Sequence, residues 1–269
     1  MTAVTTEPRV VVSPKGGETA RWELWTLNRP GARNALDPEL VESLHDEVCR
    51  AQGEGVRVVV LRGAGMGFSA GADLRHLLAH DPATDATPRA FLERIWDLTV
   101  AIERSRVVFV AALHGHAIAG GFELALACDV VMAARGTLIG DGHLRNGLVP
   151  GGGSSVRMTS ALGPAGASWL GLTGALLPAE DPVFGPWLRA LVEPAQLDAT
   201  VEDVVADLLV PPADAQHTLK ELLAAQRSSA TTEQRARELD AFDRNWRDGV
   251  AAAHLRAFTT RPTRRGEQS

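Results

Sequence analysis

Two rhythms of apolar residues alternate along the chain. Short, nearly unbroken runs rich in β-branched residues occupy 9–12, 21–27, 56–61, 107–113 and 129–134, and they predict buried strands. Elsewhere apolar positions recur at helical spacing. Leu40, Val41, Leu44 and Val48 share one face of a predicted helix, with Asp37 as its N-cap and Pro38 at its first position. Leu74, Leu77 and Leu78 start a second helix, which breaks at the polar, proline-containing stretch 80–85 and resumes through Phe91, Ile95, Leu98 and Ile102. Residues 154–162 and 164–172 are helical by period, and 198–209, 213–227 and 232–258 read as amphipathic helices. Both ends, 1–8 and 261–269, read as loose. The order predicts an α/β core, 1–198, followed by a C-terminal helical region, 199–269.

The stretch 107–153 carries most of the chemistry. Residues 114–121 form a glycine-rich turn between a strand and a helix. Gly120 and Gly121 let backbone approach a ligand closely, and a helix starting there aims unpaired N–H groups at it. Glu123 lies in that first turn, so a carboxylate stands beside a donor site. The pairing suits chemistry next to a carbonyl, where donors hold a developing oxyanion while an acid or base moves a proton. Gly63-Ala64-Gly65-Met66-Gly67-Phe68 has the outline of a dinucleotide fingerprint, but its third glycine is missing and no helix opens at once behind it. No nucleophilic serine on a Gly-x-Ser-x-Gly elbow is expected.

Three segments then narrow the reading: FSAGADL at 68–74, HGHAIAGGFELALACD at 114–129 and GLVPGGGSS at 147–155. In order and spacing they resemble the enoyl-CoA hydratase/isomerase family, the crotonases, and the resemblance runs from about Leu24 to Leu209. It implies parallel strands stacked in short right-handed turns, a β-β-α superhelix. It also implies homotrimers, or pairs of trimers, whose last helices close a neighbouring active site. The implied substrate is an acyl thioester, so coenzyme A (or a carrier) enters as part of the substrate, with no permanently bound cofactor and no metal.

Residue by residue, the resemblance implies that the N–H groups of Ala72 and Gly120 hold the oxyanion. The loop 28–36 would lie along coenzyme A, placing Arg33 either at its phosphates or in solvent as a surface charge. Ala35, Ala70, Asp73, Leu74 and Arg75 complete the expected substrate contacts, together with Ala72 and Gly120. Trp96 either lines the acyl pocket or packs in the core. The helix that relatives carry after Ala179 should be short or replaced by a loop here, since Pro182 and Pro186 follow.

Relatives that hydrate a double bond use two glutamates. The first position is Glu123; the second holds His143. A carboxylate beside an imidazole favours imidazolium, and the two titrate as a coupled pair, which suits Glu123 as base and His143 as acid, or as a water-activating base when neutral. The histidine is expected to put one limb of the pH profile in the near-neutral range. Asp141 either orients the imidazole or caps the loop. Hydration or isomerisation through an enolate leads. The loop 140–143 also resembles that of members which cleave a β-diketone by adding water to a ketone. A third reading is a catalytically weak member serving as a binding subunit. His114 and His116 read as satisfied turn residues, Asp129 as structural, and His76 and His80 as surface histidines.

Composition adds exclusions. The 269 residues suffice for one large domain, or a domain with a helical appendage, and 45% hydrophobic with 22% charged residues is ordinary for a globular protein. A net charge of −6 argues against nucleic acid as partner. Cys49 and Cys128 lack metal-ligand spacing and read as buried free thiols. The first residues do not read as a signal peptide, no apolar run is long enough to span a bilayer, and a cytoplasmic location is expected.

Overall fold

The valine-rich runs pair into one sheet whose two faces are both covered. The computed structural model describes residues 7–17, 21–79, 87–226 and 232–259. Its strands are β1 (Val10–Lys15), β2 (Trp22–Leu27), β3 (Val58–Gly63), β4 (Val108–Leu113) and β5 (His116–Ile118). Beyond these come β6 (Val130–Ala134), β7 (Leu138–Gly140), β8 (Leu177–Pro178) and β9 (Leu188–Val192). The large sheet runs β1-β2-β3-β4-β6-β9, antiparallel at β1/β2 and parallel across the rest.

A second, smaller layer of order β5-β7-β8 lies beside it, extended by isolated parallel bridges Leu36–Ala72 and Ser69–Ala117. Successive turns of chain thus lend one segment to each layer: β4 then β5, β6 then β7.

The helices are α1 (Pro38–Gly53), α2 (Leu74–Leu78), α3 (Thr87–Arg104), α4 (Gly120–Leu126) and α5 (Ser154–Thr173). They continue with α6 (Leu197–Leu209), α7 (Ala213–Gln226), α8 (Thr232–Arg247) and α9 (Val250–Thr259). Val59, Leu61, Phe109 and Ala111 point into the main core shared with Leu40 and Leu44 of α1 and Ile95 and Leu98 of α3. Their neighbours Val58, Val60, Val108 and Val110 face Leu197, Val201, Val204 and Val205 of α6. A strand buried on both faces needs no polar alternation, which explains the unbroken apolar runs. At the head of α1 the Asp37 side chain accepts from the Leu40 N–H at 2.8 Å, with Pro38 in the first turn, as expected. The α/β core with flanking and C-terminal helices is the fold class the pattern predicts. Among the described residues no helix is long and apolar enough to cross a membrane.

Several boundaries differ. Strand β1 runs on to Lys15, past the predicted end at residue 12, and β3 starts two residues late. A short strand, β5, occupies part of the glycine-rich turn. The edge strand β9 was not legible: five residues, LRALV, follow a proline-broken stretch and reach the sheet through a register irregularity against β6. Residues 232–258 form two helices, because Gly249 (φ 71°) ends α8 in a left-handed turn that side chains other than glycine disfavour. After Asp181 the chain makes only one 3-10 turn, Pro182–Phe184, in line with its prolines. Cys49 is exposed, which corrects the expectation of two buried thiols; Cys128 is buried. Asp129 is structural: it accepts from the Phe109 N–H at 2.9 Å and from Lys220 Nζ at 2.6 Å. The predicted break at 80–85, His80, residues 1–6 and 261–269 lie outside the described residues.

Candidate active site

Two loops meet in front of α4. Asn34 and Ser69 sew the first of them down: Asn34 Nδ2 donates to the carbonyls of Ala64 and Gly67, each at 2.8 Å, and the Ser69 hydroxyl donates to the Asn34 carbonyl at 2.8 Å. Leu36 N–H donates to Gly71 O and Asp73 N–H to Leu36 O, both at 2.8 Å, so the segment around Ala72 has little freedom. Gly71 sits at φ 95°, and a side chain there would meet the Gly120 amide nitrogen at 2.9 Å. Gly67-Phe68-Ser69-Ala70-Gly71 does spell Gly-x-Ser-x-Gly, so its letters alone do not exclude an elbow. The geometry does, since Ser69 is fully buried with its hydroxyl spent on Asn34 and on the Gly71 N–H.

The second loop ends at Ala119, whose φ of 50° and ψ of −119° are strained for a residue with a side chain. This turn starts α4 abruptly and brings Gly120 against the Ala72 loop: a Cβ added to Gly120 would stand 3.1 Å from the Ala72 nitrogen. Among the described residues neither the Ala72 nor the Gly120 N–H donates to a protein acceptor.

One helical turn further in, Glu123 is buried, and its Oε1 accepts from the Gly152 N–H at 3.0 Å and the Ser154 N–H at 3.1 Å. These amides belong to the Pro-Gly-Gly-Gly turn that opens α5. Burial pushes the carboxyl up to about 7, with Glu238 and Asp141 adding to the rise and His143 opposing it. His143 is buried beside it, Nδ1 3.0 Å from Asp141 Oδ1. Burial disfavours the imidazolium, but Asp141 first, then Glu123 and Glu238, outweigh it and raise His143 to about 9. Asp141 is held below the usual carboxylate range: burial would raise it, and the adjacent imidazolium more than compensates.

The structure therefore brings Ala72 and Gly120 together, and gathers Glu123, Asp141 and His143. The remaining expected contacts line the two loops. Arg33 is exposed, in a left-handed conformation (φ 53°), and Arg75 is exposed on α2. Ala35, Ala70 and Leu74 are half-buried. Asp73 already has structural partners, accepting from the Arg75 N–H at 3.0 Å and pairing with Arg29 at 3.0 Å. Arg29, also 3.1 Å from Asp37, ties the loops together and had no signal in the sequence beyond its charge. Trp96 is a core residue, buried, with the Arg157 guanidinium 5.6 Å above its ring. His76 is not a surface residue: it is half-buried with its ring edge-on to Phe91 at 4.8 Å. His114 Nε2 lies 3.2 Å from the Gly65 carbonyl, a turn contact.

One buried acid that reaches the Glu123 site was not legible in the sequence. Glu238 of α8 accepts from the Gly153 N–H at 2.6 Å and the Ser155 N–H at 3.0 Å. The available signal was a carboxylate four residues before Phe242, on the buried face of a helix. Burial raises it from the ordinary carboxylate value. Among the described residues no group of His, Cys, Asp and Glu is arranged to hold a metal ion.

Known proteins share this architecture. The chain is 36% identical over 165 residues to the enoyl-CoA hydratase domain-containing protein 2, mitochondrial, of Mus musculus, covering 61% of this chain and 55% of that protein. It is 36% identical over 141 residues to the 2,3-dehydroadipyl-CoA hydratase of Escherichia coli K12, covering 52% and 53%. The matches thus span about half the length of these curated relatives. The crystal structure of an enoyl-CoA hydratase from Mycobacterium avium subsp. paratuberculosis K-10 superposes with a TM-score of 0.82 at 27% identity, over 94% of this chain and all of that one. The sequence model of the enoyl-CoA hydratase/isomerase family matches residues 23–258, almost the whole described fold, and the chain belongs to that family.

Proposed function

We propose that this protein is an enzyme that moves protons on a coenzyme A (or carrier-bound) acyl thioester through an enolate, as a hydratase or isomerase. The observation that carries this reading is the placing of a buried, proton-accepting Glu123 one helical turn from the free amide of Gly120, which stands against the free amide of Ala72. A thioester oxygen between the two amides gains negative charge as the α-proton leaves, and donors fixed in advance stabilise that charge without reorganising. Glu123, with its carboxyl near 7, takes the proton at neutral pH. His143, held as imidazolium by Asp141, returns a proton or releases one to water. The exposed Arg33, with Ala35, Ala70, Ala72, Asp73, Leu74, Arg75 and Gly120, forms the proposed path for the coenzyme A part of the substrate. The test is exchange of the α-protons of a saturated acyl-CoA in deuterated water, followed by NMR. Exchange that disappears in Glu123→Gln supports the reading; wild-type protein that exchanges and hydrates no acyl-CoA overturns it.

A second reading, hydrolysis of a carbon–carbon bond in a β-diketone, draws on the buried His143–Asp141 hydrogen bond, which orients the imidazole so that its neutral form can activate water. Arg33→Ala separates the two. With coenzyme A as the handle the variant binds acyl-CoA more weakly, in a salt-dependent way. With no acyl-CoA bound in titration calorimetry, and a cyclic diketone opened, the second reading stands.

Assembly as a homotrimer or pair of trimers belongs to the same proposal. It draws on Trp169 and Leu172, exposed one turn apart on α5, and light scattering tests it.

A further inference from the structure

The turn that opens α5 has no side-chain cap of its own. Gly153 stands at its N-cap position in a left-handed conformation (φ 105°, ψ 15°), and no side chain of the turn accepts from its amides. Two carboxylates from distant elements take that role, and they take it alternately. Gly152 and Ser154 donate to Glu123 Oε1 at 3.0 and 3.1 Å; Gly153 and Ser155 donate to Glu238 Oε1 and Oε2 at 2.6 and 3.0 Å. The Ser155 hydroxyl adds a further bond to Glu238 Oε2. Four consecutive amides are therefore divided between α4 and α8, and neither carboxylate can shift without turning the peptide planes that hold the other. Arg157 anchors the same turn through the Gly152 carbonyl at 2.9 Å, and is itself neutralised by Glu103 at 2.8 Å.

We propose that Glu238 is a positioning residue for Glu123: by holding the Gly153 and Ser155 amides it presents the Gly152 and Ser154 amides, in fixed register, to the Glu123 carboxylate. The proposal rests on the reading of Glu123 as the group that moves the proton. The charged groups facing Glu123 are His143, Asp141 and Glu238; those facing Glu238 are Glu123 and His143, with the Arg157–Glu103 pair behind the turn. Glu238 thus has a second effect through space, since a carboxylate held this close opposes ionisation of Glu123.

The experiment is a titration of 13C-glutamate-labelled protein by carboxyl NMR, with Glu123 and Glu238 assigned from the spectra of Glu123→Gln and Glu238→Gln. In the wild-type protein the Glu123 resonance should show a step coincident with titration of Glu238, as expected for coupled sites. In Glu238→Gln that step should vanish and the lost charge should draw the main Glu123 step down by about one pH unit; the loss of positioning acts in the opposite direction and is read separately, as faster solvent exchange of the four amides Gly152 to Ser155. Glu238→Asp, which keeps the charge but withdraws it, should fall between. Turnover of an acyl-CoA substrate by Glu238→Gln should drop about tenfold in kcat with little change in KM. A folded Glu238→Gln whose Gly152 and Ser154 amides exchange as in wild type and whose kcat is unchanged overturns the proposal. Where Glu238→Gln fails to fold, Glu238→Asp decides by the same exchange measurement: Gly152 and Ser154 amides no faster than in wild type overturn the proposal. If the Gly152 and Ser154 amides loosen as expected while no acyl thioester exchanges its α-proton, the positioning role stands and the proton-transfer reading falls.

Discussion

His143 Nδ1 stands 3.0 Å from Asp141 Oδ1 with both side chains buried, and this pairing contributes most to the alkaline end of the site's pH range. It corrects the expectation of a near-neutral histidine limb: Asp141 keeps His143 protonated up to about 9, and the near-neutral group is Glu123, at about 7. As base, Glu123 must be ionised, so kcat/KM should rise with pH through about 7; as acid, His143 must keep its proton, so kcat/KM should fall through about 9. Asp141→Asn removes the charge that holds the imidazolium and should pull the alkaline limb toward neutrality. A pH profile of both proteins checks this; an unmoved alkaline limb refutes it.

The same shift carries a stability signature. The folded-state value of His143 lies above its unfolded value of 6.5, so its contribution is complete below 6.5 and is lost as pH rises through about 9. Thermal unfolding of wild type should therefore weaken over that window, and that of His143→Gln should be flatter there. Parallel curves would show that the imidazolium is not specially held.

Glu123→Gln should stop α-proton exchange, a loss of at least about a hundredfold, while the protein stays folded. The reason is that one oxygen, Oε1, accepts both amides, and a glutamine carbonyl can do the same. His143→Ala should act later, slowing hydration but leaving some exchange, because an enolate can still be reprotonated. Exchange measured by NMR beside a circular dichroism melt distinguishes loss of base from loss of fold.

Gly120→Ala should reduce kcat about a hundredfold, the usual order for losing one oxyanion donor. Gly120 is not among the left-handed glycines, so backbone strain is not the cause. The added methyl would stand 3.1 Å from the Ala72 nitrogen, in the space the oxygen needs. Ala72→Pro removes the other donor and should cost a similar factor. Near-normal turnover in either variant would contradict an enolate held by this pair.

Arg157 and Glu103 form a buried pair joined at 2.8 Å by each of two hydrogen bonds. Glu103→Leu alone strands a buried guanidinium and should destabilise by about 3–5 kcal/mol. Adding Arg157→Met should recover much of that loss, since both charges are then gone. Urea unfolding of the single and double variants measures the difference; equal losses would mean that the pair is not coupled.

Much of this protein was legible in its sequence because local physics wrote it there. Runs such as 56–61 and 107–113 had to be strands buried on both faces, and Asp37-Pro38 had to start a helix, whatever the rest of the chain did. The donor turn at Gly120-Gly121 with Glu123 behind it was visible for the same reason: both features lie within one helical turn. Other features needed the tertiary structure. Edge strand β9 is too short to announce itself, and exists because β6 offers it unpaired backbone. His143 and Asp141 were visible as residues, but the value of about 9 comes from three surrounding carboxylates that outweigh burial, which no local pattern encodes. Most of all, Glu238 lies far along the chain from the turn whose amides it holds. A hydrogen bond between distant segments leaves no periodicity in either, so only folding could bring that carboxylate to the site.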